Sequence, residues 1–139
     1  MKQLGLVLLF VSLFCISRSQ TGTKESLVGC WQPQSVKCDD PAASAGESNV
    51  ELRSQQFCFE ADGRFKVQYK KGTRMLTRVS GTYTISKDGK KVTMTADPSE
   101  DSNESWGEDV QIGEIVLLFG DRLNMSTDGC TLSFQRLAK

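Results

Sequence analysis

Cysteine is the residue type of this sequence whose chemistry can be anticipated most directly. The chain contains five cysteines, which are Cys15, Cys30, Cys38, Cys58 and Cys130. Zinc coordination is disfavoured because no two of them form a Cys-x-x-Cys pair and because the chain has no histidine. Disulfide formation is the remaining chemistry, provided that the protein passes through an oxidising compartment.

The start of the sequence indicates such a route. Lys2 precedes an apolar run over 4–16, and serines occupy the −3 and −1 positions of a cleavage site after residue 19. This layout is typical of a secretory signal peptide, and the run is short for a membrane span of about 20 residues. We therefore predict a signal peptide at 1–19 and one secreted, extracellular domain at 20–139, without a transmembrane segment.

Loss of the leader would remove Cys15 and leave an even number of cysteines. In a small exported domain the four that remain are expected to form two disulfides. Four cysteines allow three pairings, and the spacing does not choose between them. Each bridge is expected to stabilise the fold by about 2–4 kcal/mol by restricting the unfolded chain.

The other residue types do not favour an enzyme. A chain without histidine has no Ser-His or Cys-His pair, and the carboxylates cluster in one loop instead of converging in a cleft. We find no phosphate-binding loop, metal site or cofactor motif. Without Lys2 and Arg18 the domain has 15 basic and 17 acidic residues, a balance that does not favour a nucleic-acid partner.

Charge is nevertheless unevenly distributed along the chain. Residues 64–91, the basic strip, contain nine lysines and arginines against the single acid Asp88. Residues 97–114 contain seven acids and no base, and most of these acids lie in the segment 97–109, the acidic loop. The basic strip could bind an anionic glycan, extracellular matrix or a membrane surface, or it could be an ordinary solvated face.

Part of the acidic loop resembles the start of an EF-hand. The run 101–105 reads Asp-Ser-Asn-Glu-Ser, but Trp106 and Ile112 replace the glycine and glutamate that such a loop requires. Only weak calcium binding is therefore expected. Ser102 lies two residues before an acid, which makes it a weak phosphorylation candidate that would add negative charge.

Two N-glycosylation sequons are present in the predicted extracellular domain. They begin at Asn103, in the acidic loop, and at Asn124, which is followed by Met and Ser. We expect Asn103 to be the better acceptor because it lies in a loop, whereas Asn124 is predicted to face outward from a short strand.

The elements that must position these residues show a period-two alternation of apolar and polar residues. Alternating runs are separated by the turn pairs Asp62-Gly63, Asp88-Gly89, Gly120-Asp121 and Asp128-Gly129. No helical periodicity is long enough for a core helix. About eight successive antiparallel strands predict an all-β up-and-down barrel, because closure removes the exposed sheet edges.

One predicted strand has two apolar faces. In 114–119, alternation points Ile115, Leu117 and Phe119 inward and leaves Val116 and Leu118 outside. An outer apolar face needs a cover, which could be the chain's own segment 32–53, including the polar loop 39–50, or a partner molecule.

Three motifs on these strands resemble the lipocalins and the wider calycin group, most closely the compact lipocalin-like domains. Residues 27–31 read LVGCW, 59–65 read FEADGRF, and 81–95 read GTYTISKDGKKVTMT. The resemblance implies an eight-stranded barrel whose first-strand Trp31 packs across the closed end, with Arg136 over its ring in a cation–π contact. Gly29 would let the neighbouring strand approach closely. These three residues are expected to serve the fold.

The resemblance also implies a function, which is to bind or carry a small hydrophobic ligand inside the barrel. The inward residues that we expect to line such a site are Phe57, Phe59, Val67, Tyr69, Tyr83, Met94 and Leu117. A barrel of this size can equally be filled by its own side chains. The alternative function is a matrix- or mineral-associated protein that acts through the basic strip and the acidic loop.

Overall fold

The structure is a computed structural model that describes residues 24–44, 53–98 and 110–138. It contains two short helices, α1 (Lys24–Leu27) and α2 (Pro41–Ser44). Its strands are β1 (Gly29–Cys38), β2 (Gln55–Phe59), β3 (Arg64–Lys71), β4 (Arg74–Ile85), β5 (Lys91–Ala96), β6 (Val110–Phe119), β7 (Arg122–Thr127) and β8 (Cys130–Arg136). The predicted signal peptide lies outside the described residues.

The eight strands form one closed barrel in chain order. Each strand is antiparallel to the next, and β1 pairs with β8 to complete the ring. The predicted turn pairs join β2 to β3, β4 to β5, β6 to β7 and β7 to β8. The all-β barrel predicted from the alternation is confirmed.

The barrel interior is packed with the apolar residues of the alternating strands. Phe59 contacts Tyr83 edge to face, with ring centres 5.1 Å apart, and Phe57 contacts Phe134 in the same manner at 5.3 Å. The buried core consists of Leu27, Trp31, Phe59, Phe65, Val67, Tyr83, Val92, Met94, Ile115, Leu118, Leu123, Met125 and Phe134.

The two ends of the barrel differ. At one end, here called the closed end, lie α1 and the turns after β2, β4 and β6. Leu27 of α1 is fully buried there, so the helix forms a floor beneath the barrel. The sequence did not predict α1, because a single helical turn is too short to show a 3.6-residue periodicity. The connections after β1, β3, β5 and β7 belong to the opposite, open end.

The predicted orientation of residues in β6 is wrong from Leu117 onward. Ile115 pairs with Met125, but Leu117 pairs with Asn124, so Val116 is an extra residue that makes a β-bulge. The inward positions therefore shift by one residue along the strand. Leu118 is buried, whereas Phe119 is 69% exposed, opposite to the alternation that placed Phe119 inside and Leu118 outside.

Both predicted disulfides are present, and the barrel fixes their pairing. Cys30 bonds to Cys58 across β1 and β2, and Cys38 bonds to Cys130 across β1 and β8. In both cases the two cysteines are direct register partners. The first strand is therefore linked covalently to each of its neighbours, including the one that closes the ring.

The polar segment after β1 is not entirely a loop. Its first part forms α2, where the carboxylate of Asp40 accepts a hydrogen bond from the Ala42 backbone amide at 2.9 Å.

The described part of the segment that was predicted to cover β6 does not bury Val116. Residues 32–38 belong to β1, and Val116 remains 62% exposed. No described helix is both long and apolar enough to cross a membrane.

Candidate ligand-binding site

The floor of the barrel is built around Trp31. Alternation along β1 turns its indole inward, where it is fully buried, and its Nε1 donates a hydrogen bond to the Leu27 carbonyl at 2.8 Å. This bond satisfies the one polar atom of the ring. It also holds α1 against the underside of the barrel.

Arg136, at the end of β8, lies over the same ring. Its guanidinium carbon is 4.2 Å from the Trp31 ring centre. Its two Nη atoms donate hydrogen bonds to the carbonyls of Val28, at 2.6 Å, and Ser26, at 2.5 Å. Arg136 therefore joins the last strand to the segment that enters the first one.

Gly29 lies close to a side chain of the neighbouring strand β8. A Cβ at this position would lie 2.7 Å from Nη1 of Arg136, and the φ angle of +132° disfavours any residue with a side chain. The close approach that Gly29 permits is thus to the Arg136 side chain, which belongs to the neighbouring strand β8. Gly81, which the resemblance did not single out, permits the strand approach: a Cβ there would overlap the carbonyl of Thr95 on β5.

Above the floor, towards the open end, the interior contains a cavity of about 160 Å³. Its position follows from the residues at its rim, because Gln111 is the second residue of β6 and Thr127 is the last residue of β7. The lining residues are Phe57, Met94, Gln111, Ile112, Gly113, Met125, Thr127, Leu132 and Phe134. The wall is apolar except for the Gln111 amide and the Thr127 hydroxyl, and it contains no charged side chain.

Comparisons with known proteins identify this architecture. A lipocalin-like protein from Bacteroides uniformis superimposes with a TM-score of 0.62 over 81% of this chain and 99% of its own, at 20% identity. The chain has a lipocalin-like fold. An uncharacterised protein from Bacteroides eggerthii matches similarly, with a TM-score of 0.63 over 80% of this chain and 99% of its own, at 16% identity. No family of known sequences and no curated protein matches this chain.

Two of the predicted ligand residues line the cavity of this lipocalin-like barrel, and five do not. Phe57 and Met94 form part of its wall. Phe59 and Val67 are buried in the core but outside the lining. The remaining three are Tyr69, Tyr83 and Leu117.

Tyr83 is used at the closed end. Its hydroxyl donates a hydrogen bond to the Glu60 carbonyl at 2.7 Å, and Lys24 Nζ lies 5.8 Å from its ring centre. Burial, reinforced by the nearby Asp62, Glu25 and Glu60, raises the pKa of the Tyr83 phenol. Tyr83 thus remains a neutral donor that fixes the turn after β2.

Tyr69 and Leu117 are not among the residues that line the cavity. Tyr69 is half-buried near the end of β3, where it pairs with Gln55 and Leu76. Leu117 is half-buried because the bulge at Val116 removes it from the inward register. The prediction that Leu117 faces the interior is wrong.

Seven of the nine residues that line the cavity are not among the predicted ligand residues, and Gly113 is one of these seven. It occupies an inward position of β6, where a Cβ would lie 3.4 Å from Met125 Sδ and from Val92 Cγ1. Met125 and Val92 therefore pack close to Gly113, and because Gly113 has no side chain its backbone itself forms part of the cavity wall. A glycine inside an alternating strand was the available signal, because such glycines often mark a ligand or a close approach.

The charged surface forms a few specific pairs. Arg64 of the basic strip makes a two-pronged ion pair with Asp97, the first residue of the acidic loop. The Arg64 hydrogen bond is the main reason that the pKa of Asp97 is lowered, with Ser80 a smaller contributor. Lys66 pairs with Glu60 at 3.5 Å, so this part of the basic strip is partly neutralised.

The predicted phosphorylation, glycosylation and calcium sites fall partly outside the described residues. Ser102, Asn103 and the calcium-like run 101–105 lie outside the described residues. Asn124 lies on β7 between Leu123 and Met125, both buried, so that its own side chain faces outward. Among the described residues no group of three metal-ligating side chains comes together.

Proposed function

We propose that this protein is a secreted binding protein that carries a small apolar molecule in the cavity above Trp31. The observation that supports the proposal is the composition of the cavity wall, which combines the aromatic rings of Phe57 and Phe134 with the side chains of Met94 and Met125. Thioethers and aromatic edges favour an aromatic ligand, and methionine adapts its shape to what it binds.

The size of the cavity limits the ligand. At about 160 Å³ it is comparable to an apolar cavity that holds benzene. Pockets for drug-sized molecules have volumes of roughly 300–1,000 Å³. The proposed ligand is therefore a single aromatic ring or the end of an apolar chain. The side chains of Gln111 and Thr127 at the rim can each form a hydrogen bond with a polar group at the end of the ligand.

Export is supported by two independent features. The predicted signal peptide would direct the chain to the secretory route, and the two disulfides are the kind of bond that persists in an oxidising compartment. Both features are compatible with a carrier that works outside the cell.

Methionine methyl NMR tests ligand binding directly. We expect titration with toluene to shift the methyl signals of Met94 and Met125, which line the cavity, and to leave the exposed Met75 unchanged. Substitution Gly113→Leu should abolish these shifts by filling the cavity, whereas Val116→Leu on the outer surface should preserve them. Absence of shifts in the wild type at saturation would refute the proposal, and native mass spectrometry of secreted protein would identify the natural ligand.

A second candidate function, binding of extracellular polyanions, is supported by the tip of the β3–β4 hairpin. Lys70, Lys71 and Arg74 are all exposed at this tip and form no ion pair with a described residue. Sulfated glycans are a fitting partner because several close cations raise the local potential. In the same candidate function, the acidic loop would bind a mineral surface.

Heparin chromatography at physiological salt tests this second candidate. The triple substitution K70Q/K71Q/R74Q should elute earlier than the wild type. The matched triple K87Q/K90Q/K91Q removes the same charge from the closed end and should elute later than the hairpin variant. Equal elution of the two variants would show that only net charge matters and would exclude a site at the hairpin tip.

A further inference from the structure

The outer surface of β6 carries an unusual row of exposed apolar side chains. Val110, Ile112, Val116 and Phe119 are 43%, 56%, 62% and 69% exposed, respectively, and are here called the apolar stripe. Ile112, which also borders the cavity, is nevertheless exposed on this surface. The bulge completes the lower half of this stripe, since it turns Phe119 outward on the face where the alternation already places Val116. The exposed Glu114 separates Ile112 from Val116 on this face, so the lower half of the stripe is the part around Val116 and Phe119. Exposed apolar side chains that are grouped in this way often contact something.

The neighbouring strand places a modification sequence beside this stripe. Asn124 of β7 is the register partner of Leu117, and Arg122 is the register partner of Phe119. Side chains of opposed residues on one face of an antiparallel pair lie about 5 Å apart. Asn124, with Met125 and Ser126, forms an Asn-x-Ser sequon, so an acceptor amide lies directly next to the lower half of the apolar stripe.

The route by which the cysteines become oxidised is also the route on which sequons are glycosylated. Both disulfides join register partners in the barrel, which fits a chain that matures in an oxidising compartment. The glycan is bulky and water-soluble and therefore belongs on an outer surface, where Asn124 lies.

We propose that Asn124 carries an N-linked glycan whose first sugars lie over Val116, Leu117 and Phe119. In the attachment step the Asn124 amide nitrogen bonds to the anomeric carbon of a lipid-diphosphate-linked oligosaccharide. The bond from that carbon to the phosphate oxygen breaks, the lipid diphosphate leaves, and the amide loses one proton. The C–H face of the first sugar packs on the Phe119 ring, whose negative face attracts it.

This inference rests on the export that the proposed function includes, but it does not depend on ligand binding. The glycan would also cover the outer face of β6, the strand for which the sequence predicted two apolar faces. The competing occupant of the apolar stripe is a second copy of the chain. The two differ in a measurable way, because a glycan at Asn124 would obstruct a symmetric contact through the same surface.

Site occupancy is tested on the full chain secreted from cultured animal cells, by intact mass and peptide mapping. We expect Asn124→Gln and Ser126→Ala each to lose the mass of one glycan, and Ser126→Thr, which retains the sequon, to keep it. Exported wild-type protein with unmodified Asn124 overturns the proposal. A chain that stays inside the cell with both sequons unmodified overturns the proposed export as well, so the two failures are distinguishable.

The covering role is tested in the Asn103→Gln variant, which keeps only the sequon at Asn124, by comparing the enzymatically deglycosylated protein with the intact form. Removal of the glycan should increase the fluorescence of an apolar probe and the sedimentation coefficient, since the exposed stripe then self-associates. Because both forms contain the same cavity, a difference in probe fluorescence between them measures the exposure of the apolar stripe. In the Asn124→Gln background, V116S/F119S should restore the monomer. Unchanged probe binding and sedimentation after deglycosylation would contradict the covering role, as would an unmodified wild-type dimer.

Discussion

The Arg136 guanidinium stacks on the Trp31 indole with 4.2 Å between the guanidinium carbon and the ring centre. The same guanidinium donates hydrogen bonds to two carbonyls of the chain that enters β1. One side chain thus connects the last strand, the first strand and α1 at the floor of the barrel. Cation–π attraction and charged hydrogen bonds act together there, in a partly buried setting where both are stronger than in water.

Replacement of Arg136 should therefore weaken the floor. We expect Arg136→Met to reduce the free energy of unfolding by about 3 kcal/mol, which combines a cation–π contact with charged hydrogen bonds. Arg136→Lys should lose roughly half as much, since lysine keeps the charge but lacks the planar fork. Urea unfolding measures both. The exposed Arg122→Met is the control, with an expected change within about 0.5 kcal/mol.

Gly29 should be coupled energetically to Arg136. We expect Gly29→Ala to cost about 2–4 kcal/mol, because its φ angle disfavours a side chain and its Cβ would meet Nη1 of Arg136. The penalty should be about 1 kcal/mol smaller in the Arg136→Met background, where the contact is absent. A double-mutant cycle measures this difference. Strictly additive effects would mean that backbone conformation alone demands the glycine.

The bulge in β6 predicts an asymmetry between two neighbouring side chains. Leu118→Ala should destabilise the protein by about 2–4 kcal/mol, because Leu118 is 7% exposed and belongs to the core. Val116→Ala should change the stability by less than about 0.5 kcal/mol, because Val116 lies on the surface. Chemical unfolding of both variants measures the contrast. Similar losses at both sites would contradict the placement of the bulge.

The two disulfides should contribute unequally to stability. Cys38–Cys130 closes a segment of 92 residues and Cys30–Cys58 one of 28, so the chain-entropy relation predicts about 1 kcal/mol more stabilisation from the first. Variants C30A/C58A and C38A/C130A each retain one bridge. Comparing each variant in its oxidised and reduced forms isolates that bridge without changing any side chain. A larger effect from the shorter segment would contradict the prediction.

The ion pair between Arg64 and Asp97 should give the stability a pH dependence at low pH. The Arg64 hydrogen bond lowers the pKa of the folded Asp97 below its ordinary value of 3.8, so in that range the unfolded chain binds more protons. The contribution is present above the ordinary value and is lost as the pH falls through the folded pKa. We expect Arg64→Gln to raise the Asp97 pKa, measured by carboxyl NMR, and to flatten the acid limb of the stability curve.

The exposed Lys87 provides the control for this titration. Lys87→Gln removes one positive charge at the other end of the basic strip and should leave the Asp97 pKa close to its wild-type position. An equal shift in both variants would mean that overall charge, and not the contact with Arg64, sets the pKa.

Much of the barrel could be predicted from the sequence because its signals are local. The alternation in 57–69 and 83–94 correctly predicted which of these residues of β2 to β5 face the interior. The four turn pairs predicted the positions at which one strand ends and the next begins. The floor could be anticipated only through the resemblance, because nothing local connects Trp31 with Arg136. Of the predicted ligand residues, Phe57 and Met94 line the cavity, since they are inward residues of its open half.

The errors came from features that alternation does not encode. A single bulge at Val116 reversed the facing of Leu117, Leu118 and Phe119, because it adds one residue to one strand and not to its partner. Tyr83 is inward, as predicted, but its hydroxyl is engaged by the Glu60 carbonyl at the floor. Gly113 was missed because its backbone, and not a side chain, forms part of the cavity wall.

The sequence by itself therefore determined the strands, their turns and the presence of two disulfides, since backbone alternation, turn chemistry and cysteine number are properties of short segments or of composition. Only the tertiary structure decided the disulfide pairing, the position of the bulge and the place of the cavity. These depend on which residues of distant strands become neighbours when β8 closes on β1. Cys38 and Cys130 are 92 residues apart along the chain and adjacent in the barrel.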